Sequence, residues 1–466
     1  MIPATSDWQR TTDFNGGSNV EKVINVNEAF DDLPFSLYQI WVCLLCFSVV
    51  FFDGFDLTVI GVTIPKIATH LNASPAELGL AVSAGQLGPM IGAVLIGMLA
   101  DRLGRKKTMF FCALVFGFFT FMISHISSVE ELALYRFLAG LGMGGAIPNA
   151  LAFGSEFAPS RSRASLSLYM WAGMPTGAMI AAFSASYLLP HYGWQSVYYI
   201  GGLVPVIIAF IILLFLPESL QHLVRTGSKK TMDKAYSILK RINPGLPSAN
   251  NVTLTMPTAT KESKGSVKTL FTGDRMVTTL LIWLLFYLSF YLLWILFSWV
   301  PTLLKQSGAT VQQYSLGFAF IHMGSVIACF CIGRCMSKFN KLNVVKYLFV
   351  GAFLAMLAFG YFSSHSFYIV IVVSIFTGML VNGGNSSLMG LSSAVYLSEA
   401  RDTVIGWAYG IGKIGSLIAP VIGGLYLSRN WSVFKICAIN GSSALVIAVI
   451  VIYLQRHMRN SAGGEV

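Results

Sequence analysis

Twelve apolar runs of about twenty residues divide the chain, and they limit the folds that it can adopt. The runs lie at approximately 38–62, 78–100, 108–125, 132–154, 165–189, 196–216, 277–303, 312–333, 344–363, 367–391, 403–427 and 433–454. Inside a bilayer only helices and closed barrels satisfy the backbone, and these runs are too long for barrel strands. The sequence therefore predicts an all-α integral membrane protein with twelve transmembrane helices, here numbered span 1 to span 12.

The basic residues predict which side of the membrane each loop occupies. Of 31 Lys and Arg residues, 25 lie in the tails and in the loops on the side of the termini, four lie on the opposite side, and Arg136 and Lys413 lie within spans. Positively charged loops stay in the cytoplasm, so both termini should be cytoplasmic in a bacterial inner membrane. The net charge of +11 is then a topology signal, and we expect no nucleic-acid partner.

The polar stretches predict the domain organisation. Residues 1–37 are polar, hold six acids and lack a cleavable signal, so they should form a cytoplasmic tail. Residues 217–275 form a long polar stretch, helical near Met232 to Arg241, and should be a cytoplasmic linker. We expect six-helix bundles at 38–216 and 276–454 and a second cytoplasmic tail at 455–466.

The two halves of the chain resemble each other. GMLADRLGRKK (Gly97 to Lys107) follows span 2, and GRCMSKFNK (Gly333 to Lys341) follows span 8 in the equivalent place. Acidic and basic residues also recur after spans 4 and 10, as Glu156 with Arg161 and as Glu399 with Arg401. Duplicated six-span halves predict two bundles that face each other across a central cavity, which is a common plan of transporters.

Span 1 holds two carboxylates in the stretch FFDGFDLTVIG (Phe51 to Gly61). Asp53 and Asp56 are three residues apart, so they share one helical face. Acids inside a membrane are usually functional, and two close carboxylates in low dielectric cannot both ionise easily, which suits a proton carrier. Arg136 of span 4 should lie at the depth of Asp56 and pair with the aspartates. The alternatives are a structural polar pair and an Arg136 side chain that reaches the headgroups.

Several motifs resemble those of a known family. GMLADRLGRKK is similar to the loop 2–3 signature of the major facilitator superfamily, and FLPES (Phe215 to Ser219) resembles the end of its span 6. DGFD in span 1, GLGMGGAIPNA in span 4 and GWAYGIGKIGSLIAPVIGG in span 11 resemble the aromatic acid:proton symporters, carriers of the benzoate and 4-hydroxybenzoate type. Lys413 stands where that family usually has Arg.

The resemblance implies a gate in loop 2–3. In the superfamily, this loop acts as a latch whose carboxylate caps a helix and whose basic residues pair between bundles in the outward-facing state. Topology determination by positive charge alone is the alternative. The expected gating residues are Gly97, Asp101, Arg102, Gly104, Arg105, Lys106, Glu156, Arg161, Glu399 and Arg401.

Spans 7, 8 and 11 supply the expected substrate site. Lys413 and His322 are each about ten residues into their spans, so both should lie near mid-membrane, where the ammonium should attract a substrate carboxylate. A hydrogen-bonded packing role is the alternative for His322. An aromatic stripe on span 7 could stack on an aromatic substrate, or it could serve only helix packing. The stripe consists of Trp283, Tyr287, Tyr291 and Trp294.

We therefore expect a proton-coupled secondary transporter that imports an aromatic carboxylate by alternating access and functions as a monomer. Benzoate is the first expected substrate, followed by hydroxybenzoate and protocatechuate. The alternatives are a sugar or other organic-anion porter of the same superfamily and a non-transporting receptor for aromatic acids. We expect neither an enzyme nor a cofactor, because no nucleophile–base set or metal cluster is present, and the fingerprint-like Gly140-x-Gly142-x-x-Gly145 lies inside a span.

Overall fold

The computed structural model describes residues 22–26, 29–31, 33–246, 252–255, 275–395 and 398–462. Within these residues, twelve helices are long and apolar enough to cross a membrane, which confirms the predicted fold class. In order, spans 1 to 12 are Leu37–His70, Pro75–Leu103, Arg105–Met122, Val129–Glu156, Arg163–Trp171 with Gly173–Tyr192, Gln195–Phe215, Arg275–Gln306, Val311–Lys338, Lys341–Phe362, Phe367–Val395, Ser398–Ser428 and Val433–Ala462.

The helices pack as two six-helix bundles with the same internal pairing. In the first half, span 1 packs on span 5, span 2 on span 4, and span 3 on span 6. In the second half, the equivalent pairs are span 7 with span 11, span 8 with span 10, and span 9 with span 12. The repeat seen in the sequence is therefore a repeat of helix packing, and the halves meet mainly through spans 2 and 11, 5 and 8, and 1 and 7.

Local sequence signals start several spans. Spans 1, 2 and 8 each begin with a capping box, in which a side chain at the N-cap and one three residues later bond to each other's backbone N–H groups. Pro75 also occupies the first turn of span 2, where a missing N–H costs no helical bond. The glycine-rich segment of span 4 packs against span 2, since a Cβ added at Gly140 would lie 2.6 Å from Pro89 Cδ.

A small layer covers the first bundle on the side of the termini. The strand Lys22–Asn25 pairs in parallel with Val252–Thr255, and two further helices are Leu220–Thr226 and Lys229–Ile242. The apolar face of Lys229–Ile242 joins a buried cluster with Phe157 at the end of span 4. The sequence predicted a helix in this region but not the strand pairing.

The two halves touch at the end opposite the termini. There, Ser83 Oγ of span 2 donates a hydrogen bond of 2.6 Å to the Leu417 carbonyl of span 11. Lys305 Nζ of span 7 donates to the Pro65 carbonyl of span 1 at 3.0 Å. These contacts cross between the bundles and close this end of the molecule.

The side of the termini is open between the same helices. Among the described residues, no heavy atom outside the local helix lies within 4 Å of a Cβ built at Gly97 of span 2, Gly333 of span 8, or Gly406 and Gly410 of span 11. The facing helices therefore diverge from their contact toward the termini. The faces of spans 2 and 11 that meet at Ser83 and Leu417 are therefore free at these glycines, so the described helices are in contact at one end and open at the end of the termini.

Candidate functional site

A buried ion pair lies at the centre of the first bundle. Arg136 Nη1 of span 4 lies 2.5 Å from Asp56 Oδ2 of span 1, and Thr120 Oγ1 of span 3 donates to Asp56 Oδ1 at 3.1 Å. The Asp56 side chain is 0% exposed and that of Arg136 is 2% exposed. Three helices therefore hold this carboxylate, and the neighbouring guanidinium balances its charge. Depth predicted the partner Arg136 but could not identify Thr120.

Asp53 has a different environment one helical turn away. Its side chain is buried, and among the described residues we find no hydrogen-bond donor to its carboxylate. It faces an apolar cavity that is also lined by Phe52, Phe116 and Met143. The carboxylate interacts electrostatically with Lys413 of span 11 as well as with Asp56 and Arg136. Asp53 is therefore the member of the pair that is not fixed by hydrogen bonds, and its carboxylate also interacts at a distance with the charge of Lys413 in the other half.

Glycine between the two aspartates allows spans 1 and 5 to touch. A Cβ added at Gly54 would overlap the Met174 carbonyl, and one added at Gly177 would overlap the Phe51 carbonyl. Such close approach requires a residue without a side chain at both positions. The glycine of DGFD thus positions the two carboxylates against the rest of the bundle.

His322 lies in the closed contact between the halves. Its Nε2 is 3.2 Å from Thr58 Oγ1 of span 1, and its ring centroid is 4.7 Å from that of Phe297 and 4.6 Å from that of Phe318. The side chain is 2% exposed. In this conformation, His322 is enclosed by aromatic rings and joined to span 1 instead of lining an open site. The predicted alternative of a hydrogen-bonded packing residue matches this geometry.

Lys413 lies half-buried on the face of span 11 that points toward span 2. Its Nζ is 5.4 Å from the centroid of the Tyr409 ring, which is within the range of a cation–π interaction. Leu417, four residues away on the same face, accepts the hydrogen bond from Ser83 of span 2. Lys413 therefore lies one turn from the closed contact, on the open side of it.

The aromatic residues of span 7 do not share one open face. Trp283 stacks near Trp407 at 6.1 Å, while Tyr291 donates its hydroxyl hydrogen bond to Asn440 of span 12 at 2.7 Å. Trp294 is 5% exposed, and the backbone of Tyr287 meets the Gly415 position of span 11. The expectation of one substrate-facing stripe is corrected for Tyr291, because span 12 packs on spans 7 and 9 within the second bundle. Helix packing accounts for its position.

The loop 2–3 residues form a network within the first half. Arg105 pairs with Glu156, whose other carboxylate oxygen accepts from Ser219 Oγ at 2.7 Å. Gly104 has a φ of +88°, and the backbone N–H of Lys106 donates to Glu218 at 3.2 Å. Since the halves are apart on this side, these contacts join span 4 to the chain after span 6.

Other predicted gating residues lie outside this network. Arg161 was expected to join the loop 2–3 latch, and in this structure it donates to the Leu33 carbonyl of the N-terminal segment at 3.2 Å. Arg102 is exposed and Gly97 lies on the open face of span 2. The side chains of Asp101, Glu399 and Arg401 lie outside the described part of the structure.

Comparison with known proteins places the chain in a family. The family model for the Major Facilitator Superfamily matches residues 46–364. The chain is 32% identical over 440 residues to the 4-hydroxybenzoate transporter PcaK of Acinetobacter baylyi, which covers 93% of this chain and 95% of that protein. It is 29% identical over 449 residues to the benzoate transport protein of the same species, with 94% of each chain covered.

A solved structure has the same fold. The inward open conformation of the xylose transporter XylE from E. coli superposes with a TM-score of 0.69, covering 89% of this chain and 95% of XylE, at 16% sequence identity. At that identity the likeness establishes the architecture and carries no information on the substrate.

Proposed function

The chain belongs to the major facilitator superfamily and, within it, to the aromatic acid transporters, and from this premise we propose that it imports an aromatic carboxylate together with protons. The protein is thus a transporter and not an enzyme. In the proposed orientation, both termini face the cytoplasm across a bacterial inner membrane, as the distribution of Lys and Arg indicates. The open side of the structure is then the side of release.

The contrast between the two span 1 carboxylates is the observation that carries the proton-coupling proposal. Asp56 is held by Arg136 and Thr120, so its charge is already balanced. Asp53 is buried and lacks a hydrogen-bond donor among the described residues, so it is the group that can exchange a proton at least cost. We assign proton exchange to Asp53 and a fixed structural charge to Asp56.

Lys413 links the proton to the substrate in this proposal. When Asp53 is ionised, it attracts the ammonium of Lys413 and a substrate anion must compete for the same cation. When Asp53 is protonated, the ammonium is free to attract the carboxylate of the substrate. Protonation therefore favours anion binding, and by reciprocity the bound anion favours protonation. Release of the proton on the cytoplasmic side returns Lys413 to Asp53 and expels the anion.

The charge balance of this cycle is simple. One proton and one monoanion move together without net charge, so the pH gradient alone drives accumulation. A second proton would add about 2.3 kcal/mol per 100 mV of membrane potential. Uptake with and without an imposed potential, at the same pH gradient, distinguishes the two stoichiometries.

Benzoate and 4-hydroxybenzoate are the substrates to compare. Benzoate is the expectation from the resemblance of the motifs, while the relatives include transporters of both acids. Their identities of 32% and 29% differ too little to rank the two substrates. Both acids carry the carboxylate that Lys413 would attract.

Purified protein in proteoliposomes tests the function. We expect an inward proton gradient, with the outside more acidic than the lumen, to drive accumulation of labelled benzoate or 4-hydroxybenzoate. Glucose and xylose should not be taken up. Asp53→Asn should lose gradient-driven accumulation but retain exchange of labelled for unlabelled acid, because Asn mimics the protonated carboxyl permanently. Asp233→Asn, on the exposed face of the linker helix, is the matched control and should transport as wild type.

Two results would contradict the proposal separately. If wild-type vesicles accumulate neither acid, the substrate assignment is wrong. If vesicles with Asp53→Asn still accumulate the aromatic acid when a proton gradient is the driving force, the proton-exchange role belongs to another residue.

A further inference from the structure

Gln86 in span 2 is a buried polar residue that the mechanism above does not use. Its side chain is 2% exposed, and its Nε2 has no hydrogen-bond partner among the described residues. A buried amide donor without a partner is costly, so protein interiors rarely retain one without a reason. The position of Gln86 in the bundle therefore decides what it could bind.

The packing of spans 2 and 11 places Gln86 level with Lys413. The two helices run antiparallel, and a Cβ at Gly79 would lie 2.6 Å from the Pro420 carbonyl, while Ser83 bonds to Leu417. Each step along span 2 toward the termini is thus matched by an equal step back along span 11. On span 2, the next facing position is Gln86, three residues after Ser83. On span 11, it is Lys413, four residues before Leu417.

Both side chains also point toward the same interface. Gly79, Ser83 and Gln86 are spaced by four and three residues, so they lie on the face of span 2 that packs against span 11. Leu417 and Lys413 are four residues apart on the facing surface. The amide of Gln86 and the ammonium of Lys413 therefore lie next to the last closed contact, where the open route begins.

We propose that Gln86 Nε2 donates a hydrogen bond to the carboxylate of the substrate beside Lys413. The inference rests on the proposed function, since it extends the same substrate site. A carboxylate accepts hydrogen bonds and donates none, so an amide N–H and an ammonium on facing helices are complementary to its two oxygens. Gln86 is then a binding residue for the group that all aromatic carboxylates share, and it does not select among ring substituents.

Replacing the amide tests this role. Gln86→Met keeps the length of the side chain and removes the donor, so we expect KM to rise about 10- to 100-fold, the range for one hydrogen bond to a charged group. The factor should be the same for benzoate and 4-hydroxybenzoate, because both have the carboxylate. Gln306→Met, at the exposed end of span 7, makes the same chemical change away from the route and should leave KM unchanged.

A binding measurement separates this role from a structural one. Benzoate should raise the melting temperature of the wild-type protein and of Gln306→Met, and it should raise that of Gln86→Met much less. Without benzoate, Gln86→Met should melt at the same temperature as the wild-type protein. Gln86→Glu provides a second variant of nearly identical shape, and its carboxylate should weaken binding of the anion at least as much as Gln86→Met does.

The outcomes are distinct. Wild-type uptake with an unchanged KM in both Gln86 variants overturns the assignment of Gln86 alone. A KM that rises for 4-hydroxybenzoate but not for benzoate also overturns it, because Gln86 would then contact the ring hydroxyl. If the wild-type protein takes up neither acid, the proposed function fails and this assignment fails with it.

Discussion

Neighbouring residues of one helix can have different chemical roles when different helices pack against them. Asp53 and Asp56 are three residues apart, yet Asp56 is bonded to spans 3 and 4 while Asp53 lines an apolar cavity and has no hydrogen-bond donor among the described residues. In the proposed mechanism, the fixed ion pair of Asp56 keeps its charge, and Asp53, which lacks a donor among the described residues, exchanges the proton.

The Asp56–Arg136 pair predicts strong energetic coupling. Removing one partner leaves the other charge buried and unpaired, so Asp56→Asn and Arg136→Gln should each destabilise the protein by about 3–5 kcal/mol. The double variant should lose much less than the sum, because neither charge remains. Thermal unfolding in detergent measures all four proteins. Destabilisations that simply add would show that the pair is not coupled.

Lys413 predicts a charge requirement in the substrate site. Lys413→Met removes the ammonium and should raise KM for both acids about 10- to 100-fold, as expected for loss of a contact to a charged group. Lys413→Arg keeps the positive charge and should stay within a few-fold of wild type. Uptake kinetics in proteoliposomes measure both. Normal transport by Lys413→Met would remove Lys413 from the substrate site.

At the residue scale, the sequence could predict how deep a side chain lies in the membrane but not the direction in which it points around its helix. Counting residues from the ends of the spans placed Arg136 level with Asp56, since the rise per residue of a helix is constant. Thr120 and Gln86 are ordinary polar residues in apolar helices, and only the structure shows that Thr120 touches Asp56 and that the Gln86 amide is buried with no partner for its Nε2 among the described residues. Lys413 and His322 were expected at one depth, yet His322 lies beside Thr58 of span 1 while Lys413 lies near Tyr409 of its own span.

At the element scale, the contact between spans 1 and 5 is set by missing side chains. A methyl group at Gly54 would overlap the Met174 carbonyl, so the two helices must move apart to admit it. Because the aspartates lie on either side of Gly54, such a shift also displaces Asp56 from Arg136. The close packing of spans 1 and 5 therefore helps to keep the Asp56–Arg136 ion pair in place.

Gly54→Ala tests this contact. We expect it to destabilise the protein by about 1–3 kcal/mol, the usual cost of overpacking, and to reduce transport. Gly406→Ala adds the same methyl group at an open position and should leave the melting temperature unchanged. Equal melting temperatures for both variants would show that the helices do not depend on close approach at Gly54.

The elements differed in how far the sequence could predict them. Each span was visible by itself, because twenty apolar residues predict a helix whatever surrounds them. The strands Lys22–Asn25 and Val252–Thr255 are short and far apart in sequence, and each is stable only as the partner of the other. Spacing alone could not assign a role to the span 7 stripe, because the same spacing serves helix packing and ligand stacking equally well. In the structure, Tyr291 bonds to Asn440 of span 12.

At the scale of the whole molecule, the structure is one of the two conformations that transport by alternating access would require. Spans 2 and 11 touch through Ser83 and Leu417 at one end and diverge toward the termini. For the route to close on the side of the termini, the same two helix faces must meet there. Gly97, Gly406 and Gly410 occupy those faces, and the lack of side chains leaves room for close approach.

A graded series at Gly406 tests this closure. Gly406 is seven residues from Lys413 on the same face of span 11, and no heavy atom of the described residues lies within 4 Å of an added Cβ. Ala, Val and Leu should therefore be accommodated in the open conformation with an unchanged melting temperature. Each larger side chain should hinder closure more, so net uptake should fall with side-chain size, by more than about tenfold for Gly406→Leu if the clash costs 1.4 kcal/mol or more. Ligand binding to the open conformation, measured as the benzoate-induced rise in melting temperature, should persist throughout the series. Wild-type uptake by Gly406→Leu would show that spans 2 and 11 do not meet at this position, and the closed state would then have to be formed by other helices.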